Sequence, residues 1–517
     1  MKLTELLEDK NILSSKDQIL TEYLIEEGIT KPDAIKAAIM EQRITHEPLG
    51  LILVQSGFLS HDELIEAMLR ITDESLVDEE LIIPYIPHTL LRDHKAMIIA
   101  ETVDHVYMAT MGDPDAVRYN FESYFPKQTI KFIPCNIEKL ENYHAKLNKI
   151  HSSDQSILEK MLRKAIMFGA SDIHIIPRRR SYSVFLRVLG VRHLDHEGDL
   201  DEYQKVSAMI KDRSKMDLAQ RQIPQDGSYT IEYNGRFVDL RVATLPTKMG
   251  ETIIMRILDP EKTNVKLENL GISNVADWKK AITRADGIIL ICGTTGSGKT
   301  TTLTATLKEM DRFGKAIYTA EDPVEYNQNY IGQVNINNSV GLNYSNTVRA
   351  FMRSDPDIII IGEIRDLDTA RNAIKAAETG HLVIATMHTS SIIGSVSRLR
   401  DIGVESHELR YILRCVLTQK LIRTICTKCN GEGCASCLDT GYGARTIVSE
   451  CKYFNSEEEV EHLINVAKPT WKTILEDAYD KYEQGITDYE ELLRVFGYAA
   501  EEMKAKRLDV TENEHNI

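Results

Sequence analysis

Hydrophobic and polar residues alternate along the first 72 positions as they do in short amphipathic helices, and the pattern occurs twice. Residues 24–29 recur 29 positions later as residues 53–58. Each copy contains an apolar half-turn, a turn centred on Gly28 or Gly57, and a helix with apolar residues at i, i+4 and i+7. The pattern predicts a helical tandem-repeat domain over residues 1–75. Two unrelated helical hairpins are the alternative on spacing alone.

The rest of the chain divides by pattern into further regions. Residues 76–148 carry short apolar runs between helices, which predicts a small α+β module. A polar linker near residue 150 precedes a helix and several strands, which predict a second α+β domain over residues 149–262. From 263 to 503 strands and helices alternate, as is typical of α/β sheets. We expect the charged residues 504–517 to form a flexible tail.

One apolar strand runs directly into a glycine-rich loop. Residues 293–300 fit the pattern Gly-x-x-x-x-Gly-Lys-Thr, and a helix is expected from about Thr300 to Met310. Glycine lets backbone N–H groups turn toward a phosphate, the lysine reaches the β- and γ-phosphate oxygens, and the threonine holds Mg²⁺. A chance turn would lack this flanking strand and helix. The predicted nucleotide-binding residues are Gly293, Thr294, Thr295, Gly296, Ser297, Gly298, Lys299, Thr300 and Thr301.

Acidic residues follow two later apolar strands. Because parallel strands place their carboxyl ends at one edge of a sheet, Glu321, Glu325 and Glu363 are expected beside the phosphates. Glu321 and Glu325 are candidates for polarising the attacking water, and Glu363 is the predicted partner of Thr300 at Mg²⁺. Asp357 begins the same apolar run as Glu363 and lies about 20 Å away. An Asp-Pro pair that only ends a strand is the alternative after Glu321.

Two histidines and an arginine complete the predicted site. His381 and His388 flank one strand, and the sequence supports equally a sensor role for the γ-phosphate and a structural role. Hydrolysis also needs positive charge at the transition state beyond Lys299. Arg241, in the preceding domain, is the first candidate, and a surface ion pair is its alternative role. Further candidates are Arg349, Arg353 and Arg365.

Four of the eight cysteines fall in one cluster with the spacing Cys426-x-x-Cys429-x₄-Cys434-x-x-Cys437. Two such pairs supply the four thiolates of a tetrahedral Zn²⁺ site, and intervening glycines allow tight turns. We expect a structural site that stabilises a lobe at residues 424–445 and takes no part in chemistry. Four free thiols are the alternative.

The composition of the chain argues against several classes of protein. The net charge of −16 argues against general affinity for nucleic acid. The start of the chain lacks a signal-peptide core, and no apolar run approaches the length of a membrane span. These features predict a soluble cytosolic protein.

Together these residues resemble one family, the secretion and type IV pilus assembly ATPases, which are hexameric motors of bacterial type II secretion and related systems. The matching segments occur in order at residues 169–174, 224–227, 241–246, 293–300, 321–325, 355–366 and 379–389. The resemblance covers about residues 150–500. It implies a multidomain α/β and α+β protein: a RecA-like P-loop ATPase core preceded by a PAS-like α+β domain and by an N-terminal helical repeat and α+β module. The implied cofactors are ATP, Mg²⁺ and Zn²⁺.

The resemblance also implies partners and location. It implies a cytoplasmic homo-hexamer, peripherally associated with the inner membrane, that acts through an inner-membrane platform protein and with other cytoplasmic assembly proteins. Its work would be assembly of a type IV pilus or a type II secretion pseudopilus, and the four cysteines favour this assembly branch. A RecA-like motor for DNA uptake or translocation is the alternative, and the acidic composition argues against it. Glu321 and Glu363 argue against a binding-only scaffold.

Two departures from the family pattern affect the expectations. Ser228 stands where many relatives have an arginine, which puts one contact to a neighbouring subunit in doubt. The 29-residue repeat is similar to the family's paired cyclic di-GMP-binding unit, but both leading arginines are missing, and arginine is the side chain best suited to phosphate and guanine. We therefore expect the repeat fold to persist and cyclic di-GMP to bind weakly or not at all.

Overall fold

The computed structural model describes residues 15–45, 47–71, 86, 88–102, 104–133, 137–149, 157–233 and 236–514. They form two compact units. One runs as far as Lys262 and includes Ala435–Asp439, and the other contains Thr263–Cys434 and continues from Thr440. The linker expected near residue 150 lies outside the described residues.

The described part of the first unit begins with four helices, Ser15–Glu26, Pro32–Thr45, Leu49–Gln55 and His61–Ile71. The turns after the first and third helices have the same geometry, with φ of 65° at Gly28 and 67° at Gly57. In each turn the residue after the glycine donates its N–H to the carbonyl of a buried leucine, at 3.0 Å to Leu24 and 2.9 Å to Leu53. The left-handed glycine therefore closes both helices identically, and the sequence repeat is a structural repeat.

A small three-stranded sheet follows, with β1 (Ala96–Glu101), β2 (His105–Thr110) and β3 (Thr129–Phe132) in that order. The pair β1–β2 is antiparallel and β2–β3 is parallel. Helices His88–Asp93, Pro114–Phe121 and Ile137–Lys149 and the 3₁₀ turn Glu122–Tyr124 accompany the sheet. Strand β1 is buried along its whole length, which explains its nearly continuous apolar sequence.

The rest of the first unit is a six-stranded antiparallel sheet in the order β6-β5-β4-β9-β8-β7. Its strands are β4 (Asp172–Pro177), β5 (Tyr182–Val188), β6 (Val191–Gly198), β7 (Gln225–Tyr233), β8 (Arg236–Thr247) and β9 (Gly250–Leu258). Helices Ile157–Met167 and Leu200–Arg213 share a core with one face of the sheet, to which Ile173 and Leu240 belong. Because side chains alternate along a strand, Asp172 and Arg241 point to the other face.

The second unit is built on a seven-stranded sheet in the order β12-β11-β13-β14-β10-β15-β16. Its strands are β10 (Gly287–Cys292), β11 (Ile317–Glu321), β12 (Gly332–Asn335), β13 (Ile358–Ile361), β14 (Leu382–Met387), β15 (Leu413–Ile425) and β16 (Tyr442–Tyr453). All neighbouring pairs are parallel except β15–β16. One strand, β14, therefore lies between β13 and β10, and two inter-strand spacings put the acidic end of β13 about 10 Å from the start of the loop after β10.

Helices cover both faces of this sheet. The helices of this unit are Val275–Ile282, Lys299–Glu309, Tyr344–Phe351, Leu367–Glu378, Ile392–Asp401, Ser406–Ile412, Glu457–Val466, Ile474–Glu483, Tyr489–Phe496 and Tyr498–Glu514, with 3₁₀ turns at Leu267–Leu270 and Asn338–Val340. The 3₁₀ turn Pro260–Thr263 spans the end of the first unit's main segment, and the turn Ala435–Cys437 belongs to the first unit. The helix expected from Thr300 to Met310 begins and ends one residue earlier.

The last helix includes most of the residues that were expected to form a flexible tail, 504–517. The last helix continues to Glu514. Arg507, near the middle of this helix, donates from its guanidinium to Asp480 at 2.9 Å and to Glu483 at 2.6 Å. The sequence pattern shows charged residues here but not the partners that anchor them.

Candidate functional site

The glycine-rich loop connects the carboxyl end of β10 to helix Lys299–Glu309. Gly293, Gly296 and Gly298 have φ angles of 154°, 76° and 90°, a region that other L-residues rarely adopt. A Cβ atom on Gly293 would lie 2.4 Å from Ser297 Oγ. The loop therefore folds tightly over its own start, and its glycines are required by that shape.

The predicted nucleotide-binding residues all lie on this loop or on the first turn of the helix. Thr294, Thr295 and Gly296 are exposed, Ser297 is buried, and Lys299, Thr300 and Thr301 are half-buried. The helix is 11 residues long, and its first N–H groups and its dipole favour an anion at this end. The arrangement suits a phosphate chain.

Lys299 folds back over the loop. Its Nζ donates to Gly293 O at 2.7 Å and to Thr294 O at 3.1 Å. Burial lowers the pKa of Lys299, while the nearby Cys292 and Glu363 act in the opposite direction. The ammonium group thus lies within the field of the Glu363 carboxylate.

Glu363 lies two residues beyond the end of β13 with 15% of its side chain exposed. Its Oε2 accepts from Arg365 Nε at 2.7 Å, and its Oε1 is 3.6 Å from His388 Nε2. Gly362 permits this position, because a Cβ there would lie 2.8 Å from the carbonyl oxygen of Ala320 on β11. The two acidic strand ends are therefore packed closely together.

Glu321 ends β11 and is oriented by two side chains. Its Oε1 accepts from Thr319 Oγ1 at 2.6 Å and from Gln333 Nε2 at 3.1 Å. Asn335, on the same edge strand as Gln333, accepts from Val324 N at 2.7 Å. Strand β12 therefore fixes both the carboxylate and the loop that carries the half-buried Glu325. The sequence analysis missed Gln333 and Asn335, whose only signal is their polarity at alternate positions of a strand.

The two predicted sensors lie at opposite ends of β14. His388 follows the carboxyl end and lies beside Glu363. His381 precedes the amino end, about 20 Å away, and its Nδ1 contacts Ala376 O at 2.8 Å and Thr379 Oγ1 at 3.0 Å. His381 therefore lies at the edge of the sheet opposite to this chain's glycine-rich loop. The reason is that a histidine on each side of a six-residue strand cannot reach one site.

Arg241 belongs to the first unit. It lies on β8 directly opposite Ser228 on β7 and Arg256 on β9. Arg256 Nε donates to Asp172 Oδ1 at 3.1 Å. Ser228, which stands where many relatives have an arginine, is thus the cross-strand neighbour of Arg241. The absence of that arginine reduces the positive charge beside Arg241. Among the other arginine candidates, Arg365 binds Glu363, and Arg349 Nε donates to Asn372 Oδ1 at 3.3 Å.

The four clustered cysteines come together in space. Their sulfur atoms all lie within 4.8 Å of one another, and Cys426 Sγ is 4.0 Å from Cys434 Sγ. Thiolates around tetrahedral Zn²⁺ at 2.3 Å are separated by about 3.8 Å. Left-handed backbone at Gly431 and Gly433 makes the intervening turns, with φ of 93° and 97°. The donor set and its spacing fit zinc.

A parallel sheet with a glycine loop, a lysine at the following helix and carboxylates at the same edge defines a P-loop nucleoside triphosphatase. Comparison with known proteins gives the family. The model of the family described as "Type II/IV secretion system protein" matches residues 149–494. The chain therefore belongs to this family, and it is an ATP-hydrolysing motor protein of secretion or pilus assembly.

Individual relatives agree. The chain is 37% identical over 379 residues to "Type II secretion system ATPase E" of Vibrio cholerae, covering 66% of this chain and 74% of that protein. It is also 37% identical over 360 residues to "Type II secretion system protein HxcR" of Pseudomonas aeruginosa, covering 66% and 76%. The ATPase DotB of Legionella pneumophila has the same fold, with a TM-score of 0.51 at 21% identity over 65% of this chain and 94% of DotB. Within the described part of the chain, none of the helices combines the length and the apolar character needed to span a bilayer.

Proposed function

We propose that this chain assembles into a cytoplasmic homo-hexamer that hydrolyses Mg²⁺-bound ATP and, through an inner-membrane platform protein, drives assembly of a type IV pilus or type II secretion pseudopilus. The observation that carries the proposal is that the glycine loop with Lys299 and the carboxylate of Glu363 follow the carboxyl ends of two strands, β10 and β13, of one parallel sheet. Hydrolysis of Mg²⁺-bound ATP uses both a lysine at the phosphates and a carboxylate near the metal or the attacking water.

The residues of this edge then divide the chemistry among them. Lys299 leaves its two loop carbonyls for the β- and γ-phosphate oxygens, and loop amides hold the phosphate chain. Thr300 and Glu363 supply hard oxygen ligands suited to Mg²⁺, which when bound neutralises phosphate charge. Glu321 orients the attacking water, and Glu325 follows it on the same loop. His388, beside Glu363, is placed to respond to the γ-phosphate.

Arg241 completes the site from a neighbouring subunit in this proposal. Transition-state charge on the γ-phosphate requires a cation beyond Lys299. Arg241 lies on the face of the six-stranded antiparallel sheet that is opposite to the hydrophobic core, and its cross-strand neighbour on β9 is Arg256. A ring in which one subunit supplies the loop and the next supplies the arginine makes hydrolysis depend on assembly.

The four-cysteine loop has a separate, structural role. Cys426, Cys429, Cys434 and Cys437 would hold Zn²⁺ with no coordination position left for substrate. The metal, when bound, crosslinks a loop that contains few apolar residues of its own. The chain's zinc loop would thus contribute to stability and to the shape of the lobe at residues 424–445.

A mixing experiment tests the motor and its ring together. Lys299→Ala and Arg241→Ala should each abolish ATP turnover measured by phosphate release, whereas Lys315→Ala, at the opposite edge of the sheet, should leave it unchanged. Co-assembly of the two inactive variants in equal amounts should restore about a quarter of parental turnover, since that share of interfaces pairs an intact loop with an intact arginine. No recovery in confirmed mixed hexamers would contradict a site shared between subunits. Failure of the parental chain to bind or split ATP would contradict the motor itself.

A further inference from the structure

We propose that Gln419 is a positioning residue that holds the glycine-rich loop in its phosphate-binding shape; this inference rests on the proposed use of that loop for ATP. Gln419 lies on β15, next to β10, one residue beyond the pair Cys292–Thr418. It is completely buried. It therefore stands beside the point at which the loop leaves the sheet.

Both ends of its amide are used. Nε2 donates to Ser297 O at 2.8 Å, and Oε1 accepts from Thr302 Oγ1 at 2.8 Å. A backbone carbonyl can only accept, which fixes the orientation of the amide. One side chain thus joins the loop, through Ser297, to the first turns of the following helix, through Thr302. A glutamate would keep the second contact and lose the first, and an apolar residue would lose both.

The loop also packs directly on Gln419. A Cβ atom on Gly293 would lie 2.6 Å from Gln419 O, and one on Gly298 would lie 3.2 Å from Gln419 Nε2. Two of the loop glycines are therefore needed because of this residue as well as for the phosphates. Lys299 follows Gly298 directly, so the position of the lysine backbone depends on the packing of Gly298 against Gln419.

The network continues away from the nucleotide. Thr306 Oγ1 donates to Thr302 O at 2.7 Å, and Trp278 Nε1 donates to Thr306 Oγ1 at 3.0 Å. A purely structural role for Gln419 in this core would affect folding alone. A positioning role predicts in addition that substitution of Gln419 weakens nucleotide binding by more than the loss of stability of the nucleotide-free protein would account for.

The discriminating variants are Gln419→Glu and Gln419→Met, compared with the parental chain. Gln419→Glu places an oxygen against the Ser297 carbonyl, and Gln419→Met keeps the bulk without any donor. Each variant loses at least the buried hydrogen bond to Ser297 O, so we expect both to raise the dissociation constant for ATP, measured by titration calorimetry, and the KM by about tenfold or more, with kcat changed less than threefold. Thr302→Val, which leaves the Ser297 contact intact, should raise the dissociation constant less.

Thr418→Val is the matched control. Thr418 is the adjacent buried residue, and its hydroxyl has no hydrogen-bond partner among the residues that the structure describes, so this change should leave ATP affinity unaltered. If both Gln419 variants melt at a lower temperature but bind ATP as tightly as the parental chain, or if neither folds, Gln419 is a folding residue and the inference is overturned. A parental chain that does not bind ATP would instead refute the proposed function.

Discussion

Replacing Glu363 by glutamine separates chemistry from binding and from folding. The substitution keeps the size of the side chain and an oxygen that can accept from Arg365, but it removes the negative charge at the end of β13. In the structure this carboxylate lies near Lys299 and 3.6 Å from His388 Nε2. We expect ATP to bind to the variant and turnover to fall.

The structure sets the size of both effects. Arg365, the ion-pair partner, is 62% exposed, and pairs of this kind contribute about 0.2–1 kcal/mol to the free energy of unfolding. The melting temperature should therefore fall by no more than about 4 °C. Loss of a group that orients water or metal costs about 10²- to 10⁴-fold in kcat, which corresponds to about 3–5 kcal/mol on the barrier.

The assay is steady-state phosphate release with the dissociation constant for ATP measured in parallel. Asp357→Asn is the matched control, because Asp357 immediately precedes the same strand and lies at its opposite end. Its Oδ2 accepts from Ala316 N at 2.7 Å, and asparagine can keep that bond. We expect the control to retain parental turnover.

Parental kcat in the Glu363→Gln variant would show that this carboxylate is not at the metal or the water. A loss of turnover that is matched by a large fall in the melting temperature would assign Glu363 to folding. An equal loss of turnover in Asp357→Asn would show that any change of charge on the strand impairs the enzyme. The loss in Glu363→Gln would then be no evidence that Glu363 lies at the metal or the attacking water.

Two further predictions concern stability. Cys434→Ser should lower the zinc content of the purified chain, measured by atomic emission, from about one ion per chain to near zero, and should lower the melting temperature while nucleotide binding persists; a parental chain without zinc would contradict the assignment. Glu491 is fully buried; burial acts to raise its pKa, but hydrogen bonds from Arg494 and Arg423 outweigh it and hold the pKa below its usual value. Its stabilising effect is therefore complete above pH about 4.5 and is lost as the pH falls through the lower folded value. Glu491→Gln should cost about 3 kcal/mol at pH 7 in urea unfolding, with a gap that closes in acid; a gap independent of pH would refute this.

The parts of the site that sequence reasoning predicted are those that depend on consecutive residues. The loop at residues 293–300 follows its strand and precedes its helix within one short segment, so that local rules define it. Glu363 could be placed because a parallel strand has a known direction and length. The 29-residue repeat could be recognised because the same turn requires a glycine at the same position in each copy.

The parts that were missed depend on the order of the strands. Gln419 meets the loop from a strand more than 100 positions later, and Gln333 reaches Glu321 only because β12 pairs with β11. Nothing in the local pattern specifies these neighbours. Polar side chains within strands were the available signal, and they become informative only when the sheet order supplies their partners.

Sheet order also explains why His388 and not His381 is at the site. Strand β14 lies between β10 and β13, so that its carboxyl end separates the loop from Glu363. Its last residues bind both neighbours: Gly293 N donates to Met387 O at 3.2 Å, and Ile364 N donates to Thr386 O at 3.1 Å. A shift of this strand end moves the glycine loop and the acidic residue together. His388 follows directly after these two residues. Of the two predicted sensor histidines, it is therefore the one carried by a strand end that is hydrogen-bonded both to the glycine loop and to the segment after Glu363.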